Sequence, residues 1–127
     1  MNKLLLILTL LIYSSPSFGE WKKLYTINDA TLYIETDTVE KNKSKVYFNI
    51  LTSYLEPKTS FGTLSIVNRA VINCKTNQYK SLWLYSYKRV MGKGDPFIDY
   101  DPKFKWIKII DEPDRNTMMM RVKKLYC

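Results

Sequence analysis

Side chains capable of chemistry occur in only a few stretches of this 127-residue chain. The segment "DPFIDYD" brings Asp95, Asp99 and Asp101 close together, and such carboxylates can hold Ca²⁺. It lacks the ligand spacing and the glycine of an EF-hand loop, so it reads as a solvated polar loop. Gly92-Lys93-Gly94 suggests phosphate binding, but a P-loop needs G-x-x-x-x-G-K-[ST] between a strand and a helix. Here it reads as a turn, as does the Ser44-Lys45 pair. The sequence contains no histidine. That removes the commonest general base, the commonest metal ligand and every Ser-His arrangement. We therefore expect no catalytic residue, no metal site and no cofactor.

What remains is surface. The stretch "YSYKRVMGK" concentrates Tyr85, Tyr87, Lys88, Arg89 and Lys93, a mixture suited to recognition because Tyr, Trp and Arg are enriched at interfaces. These five residues are the candidate binding surface. Any single aromatic in such a chain is more often a core or cross-strand residue than a contact residue. The "TMMM" run likewise reads first as helix packing.

Where the protein works is written at its start. "MNKLLLILTLLIYSSPSFGE" has one lysine, an apolar run from Leu4 to Tyr13 and a small-residue segment, the pattern of a secretory signal peptide cut between Gly19 and Glu20. A membrane span needs about 20 apolar residues, roughly twice this run. The expected organisation is a cleaved signal peptide, residues 1–19, and a single domain, residues 20–127. No transmembrane segment remains after cleavage. No cysteine follows the cleavage site, so no lipid anchor is expected. The expected location is the bacterial envelope, periplasmic or secreted.

In an oxidising compartment the two cysteines read as a disulfide, Cys74 to Cys127. An intermolecular bridge through the terminal thiol is the alternative. Without Lys3 the chain keeps 19 basic and 12 acidic side chains, a formal +7 that favours anionic partners by long-range steering. Nucleic acid is not expected as a partner, because an exported protein rarely meets it.

The elements that must carry the surface follow from periodicity. "WKKLYT", "ATLYIE", "KVYFNILTSYLE", "FGTLSIVNRAVINC", "YKSLWLYSYKRV" and "KFKWIKII" alternate as strands. In the fourth, Leu64, Ile66, Ala70, Ile72 and Cys74 share a face. After Pro113 the period changes: Met118, Val122 and Leu125 recur at helical spacing, with Met119 and Tyr126 beside them and Lys123 and Lys124 in the last turn. So short a helix needs a surface to lie on. The expected fold is α+β, mainly β: a twisted antiparallel sheet of about six strands, with a C-terminal helix tethered to one face by the disulfide.

Several of these segments together resemble the surface-adhesin protein E-like family of small exported bacterial domains. The likeness covers residues 20–127. It rests on Trp21, on "YIETDTVEK" against the family's Y-x-D-x-x-[ST]-[IV]-x-[KR], and on "VYFNILTSYLEP" with Tyr54 and Pro57. "INCKTNQYKSLWLYSY" around Cys74, the Gly-Lys-Gly after it and the helix closing on Cys127 complete it. The resemblance implies the same sheet and disulfide-tethered helix. It also implies a non-enzymatic binding role, towards host matrix and plasma proteins in the name-giving adhesin, and a tendency to dimerise. Three features depart from the family pattern: the missing N-terminal lipid-anchor cysteine, Asn42-Lys43 where a turn glycine is usual, and "DEPDRNT" before the helix.

The leading expectation is an exported binding module contacting a protein or an anionic polymer of envelope or host. The alternatives are a periplasmic inhibitor of a lysozyme-like or other enzyme, and a homodimeric envelope protein. A chain at +7 meets like-charge repulsion from a basic lysozyme unless its contact patch is locally acidic.

Overall fold

Alternating side chains build a seven-stranded antiparallel sheet in the computed structural model, which describes residues 20–97, 104–110 and 117–127. The signal-peptide region, Asp99 and Asp101, and the residues 111–116 that precede the helix lie outside the described residues. The strands are β1 (Trp21–Ile27), β2 (Ala30–Glu35), β3 (Glu40–Asn42), β4 (Lys45–Tyr54), β5 (Ser65–Asn73), β6 (Gln78–Tyr87) and β7 (Ile107–Lys108). The helix α1 spans Thr117–Tyr126. The sheet order is β1-β2-β4-β5-β6-β7, with β3 paired to β4 off that path.

Five of the expected strands form close to their expected bounds. The sixth, "KFKWIKII", pairs with β6 only through Ile107 and Lys108. The short β3 is the strand that alternation did not indicate, because its residues Glu40-Lys41-Asn42 are all exposed and polar.

The even positions of β4 and β5 face the helix. Val46, Phe48, Ile50, Ala70 and Ile72 join Leu32 and Ile34 of β2 in one core, closed by Met119 and Val122 of α1. On the helix the buried stripe differs from the expected one. Met119 and Val122 are buried and Tyr126 packs beside them, whereas Leu125 points to solvent. With this face on the sheet, Cys127 reaches Cys74.

The bridge itself forms, Cys74 to Cys127, with a Cα–Cα separation of 5.7 Å. Its neighbourhood is tied down from several sides. The Cys74 N–H donates to the Ser44 carbonyl at 2.7 Å, and the Cys127 N–H to the Lys123 carbonyl at 2.8 Å. Asn77, in the β5–β6 turn, donates through its side chain to the Ile109 carbonyl and accepts from the Lys123 ammonium. Turn, strand and helix thus meet at one end of the sheet.

A bulge sets which face β6 presents. Arg69 pairs with Trp83 but Ala70 pairs with Ser81, so Leu82 is the extra residue. Tyr79 and Ser81 therefore share the helix side with Ile72 and Ala70. Beyond the bulge Trp83, Tyr85 and Tyr87 turn to the opposite face, where Leu51 and Val67 are fully buried under Trp21, Tyr33, Trp83 and Met91.

Candidate binding surface

The face away from the helix carries a transverse row built by register alone. Trp21 pairs with Glu35, Asn49 with Arg69, and Arg69 with Trp83; β2 and β4 place Glu35 beside Asn49. The row is wired by hydrogen bonds. Arg69 Nη1 donates to Asn49 Oδ1 at 2.9 Å, and Asn49 Nδ2 donates to Glu35 Oε1 at 3.0 Å. Arg69 also approaches Glu40 at 3.9 Å. Glu35 is 1% exposed, so its carboxylate organises the row from beneath. Sequence reading missed this row. Only the strand order brings Glu35 and Arg69 to the two sides of Asn49.

Next to the row, Trp83 and Tyr85 form a tilted ring pair with centroids 4.9 Å apart. Tyr85 is 37% exposed, while Tyr87 is 3% exposed and packs on Leu51 and Val67. Burial pushes the Tyr87 hydroxyl pKa up from its usual range, and nearby Tyr85 adds to the effect. Of the two candidate tyrosines, then, one can touch a partner and one supports it from the core.

The three candidate cations converge. After β6 the chain makes a tight turn at Val90–Gly92. Two serines of the sheet hold that turn. Ser65 Oγ donates to the Arg89 carbonyl at 2.6 Å and accepts from the Gly92 N–H at 2.9 Å, and Ser53 Oγ accepts from the Met91 N–H at 3.3 Å. The loop then closes on itself, because Ser86 and Phe97 exchange both backbone hydrogen bonds. Lys88, Arg89 and Lys93 line a basin of about 370 Å³ together with Gly94, Asp95, Pro96 and Phe97.

The Lys88 ammonium lies 5.8 Å from the Phe97 ring centroid. Gly94 has φ +87°, a backbone conformation that favours glycine, and a Cβ there would come within 3.2 Å of the Arg89 side chain, which would have to shift by a few tenths of an ångström. Among the described residues none of the three cations is in an ion pair. Asp95, the carboxylate within the described loop, offsets one charge of three. Chemically the arrangement can accept an anion through charge-assisted hydrogen bonds from lysine and arginine. No described helix is long and apolar enough to cross a membrane.

Comparison with known proteins agrees with this architecture. Residues 21–127 match the family model of surface-adhesin protein E. Among solved structures, Haemophilus influenzae protein E in crystal form II superposes with a TM-score of 0.64 at 14% identity, covering 89% of this chain and 93% of that one. A second structure of Haemophilus influenzae protein E gives 0.61 at 17% identity, covering 89% of each chain. Protein E from non-typeable Haemophilus influenzae gives 0.56 at 15% identity, covering 84% of this chain and 77% of that one. At these identities the superpositions speak for the fold. No curated protein matches significantly.

Proposed function

Because the chain belongs to the surface-adhesin protein E family over residues 21–127, we propose that it is an exported, non-enzymatic binding module that contacts partners through the basic basin. The family supports an adhesin-like binding role at or beyond the cell envelope. The observation that carries the finer reading is the convergence of Lys88, Arg89 and Lys93 on one basin. The partner is an acidic protein surface or an anionic polymer of envelope or host. Its binding is salt-dependent, since exposed charges are screened within about 10 Å at 0.1 M salt.

Heparin-agarose, used as a model polyanion, tests this reading. The triple reversal Lys88→Glu, Arg89→Glu, Lys93→Glu is compared with an equal reversal at the exposed Lys22, Lys41 and Lys75. Both variants have the same net charge. If the basin is the contact surface, the first elutes at markedly lower salt than the second. Equal elution would assign retention to overall charge and remove the basin from the proposal.

A second reading, a homodimer, is favoured by the aromatic face, where Trp83 and Tyr85 lie side by side and Tyr85 reaches solvent. Sedimentation of the wild type against Tyr85→Glu decides it: a dimer that survives the charge does not use this face.

A further inference from the structure

The last edge of the sheet leaves large apolar side chains in water. The chain enters β7 through Phe104-Lys105-Trp106, and Phe104, Trp106 and Ile107 are 38%, 38% and 42% exposed. Lys105 and Lys108 are exposed as well, and from Phe104 to Ile110 the chain carries no acid. β7 pairs with β6 through Ile107 and Lys108 and ends the sheet order, so this stretch lies at an edge.

Two further cations are brought in by the fold. Lys45 of β4 and Lys80 of β6 each place an ammonium 5.9 Å from the Trp106 ring centroid. Both belong to the face away from α1, since Lys45 pairs with Asn73 and Lys80 with Val71. Among the described residues none of Lys45, Lys80 and Lys105 is in an ion pair. The exposed apolar loop between β4 and β5 differs. There, with Leu55 and Phe61, Lys58 is paired with Asp29, and Glu56 adds a second negative charge.

An edge that interleaves aromatic and lysine side chains restricts what it can meet. A protein partner is a poor fit, because lysine is depleted at protein interfaces. A soluble polyanion engages the ammoniums and leaves Phe104, Trp106 and Ile107 in water. An anionic bilayer surface takes both: tryptophan favours the headgroup level, lysine stems lie along apolar surface with their ammoniums at the phosphates, and the surface potential attracts each cation. Insertion stops at that level, because the backbone of an edge strand still needs water. We propose that this edge docks the protein on an anionic phospholipid bilayer, Phe104 and Trp106 entering the headgroup layer and Lys45, Lys80 and Lys105 meeting lipid phosphates. This surface is separate from the basic basin, since the strand from Lys80 to Lys88 spans roughly 25 Å.

Vesicle flotation of the oxidised protein without residues 1–19, on phosphatidylcholine vesicles with and without phosphatidylglycerol, tests the proposal. The expected result is binding to the anionic vesicles only, with tryptophan fluorescence quenched by lipids brominated close to the headgroup. Trp106→Phe removes most of that quenching, because Trp21 and Trp83 pack over Leu51 and Val67. Phe104→Ser together with Trp106→Ser lowers the partition constant about tenfold, through the apolar area no longer buried. Lys45→Gln with Lys80→Gln lowers it roughly fivefold per cation, and Lys88→Gln with Lys93→Gln, of the same net charge, lowers it far less. Heparin retention depends instead on the second pair, so failure of the basin and failure of this edge are read separately. Unchanged circular dichroism and an intact Cys74–Cys127 bridge show that the variants are folded. Absence of binding, equal binding to both kinds of vesicle, undiminished binding after loss of both aromatics (the mark of a general polyanion surface) or equal effects of the two lysine pairs each overturns the proposal.

Discussion

Asn49 does more than any other single side chain to organise the aromatic face. It is 6% exposed, receives the Arg69 guanidinium on its oxygen and gives its amide to Glu35. Asn49→Ala removes both bonds at once and leaves two charged groups facing a gap. The expected loss is about 1–3 kcal/mol, the cost of an unsatisfied buried polar group, read as a lower urea midpoint with an unchanged slope. Lys43 is a residue of the opposite sign. It begins the two-residue Lys43-Ser44 loop between β3 and β4 at φ +57°, a backbone conformation that hairpins normally give to glycine. It also occupies the region where family resemblance anticipates glycine. Lys43→Gly should therefore stabilise the protein by up to about 1 kcal/mol, relief of left-handed strain exceeding the added chain entropy; a lower midpoint would show that the turn is not strained.

At the scale of elements, the helix is held by three kinds of contact at once: the apolar stripe of Met119 and Val122, the Lys123–Asn77 hydrogen bond and the disulfide. Cys127→Ser removes the constraint on a 53-residue separation, worth at most about 4 kcal/mol in the chain-entropy model. Hydrogen exchange should report the change in α1 first, with β4 and β5 keeping their protection; equal protection of α1 in wild type and variant would show that packing alone holds it. Much of this was legible in the sequence. Period-two alternation located β1, β2, β4, β5 and β6 and aimed Cys74 at the helix, and the closed loop of residues 88–97 is short enough for its cations to be read as neighbours. Leu82 was not legible as a bulge, since one inserted residue leaves no mark in a strand apolar on both faces. Nor was the burial of Glu35 or the placing of Lys45 and Lys80 around Trp106, because each is assembled from strands distant in sequence.

For the molecule as a whole, the aromatic content sets an alkaline limit on stability. Burial raises the hydroxyl pKa of Tyr25, Tyr79 and Tyr87 above the usual value of 10.0, with Arg121 partly opposing the shift at Tyr25. A group whose folded pKa is raised binds its proton more tightly in the native state. Its contribution is fully present below pH 10 and is lost as pH rises through the folded pKa. Between those values the unfolded chain holds fewer protons than the native one, so stability falls with pH. The two groups on the helix side are only partly buried, where water screens the effect, whereas Tyr87 lies in the core with Leu51 and Val67. Urea denaturation at intervals above pH 9.5 should show a midpoint that declines as the tyrosines of the unfolded chain ionise, with no comparable decline between pH 7 and 9. Tyr87→Phe should flatten that decline by up to one proton per molecule and leave the neutral-pH midpoint within about 1 kcal/mol of wild type, its ring still filling the same space. A decline of equal steepness in Tyr87→Phe would assign the alkaline limit to Tyr25 and Tyr79, and the core tyrosine would then serve the aromatic face by packing alone.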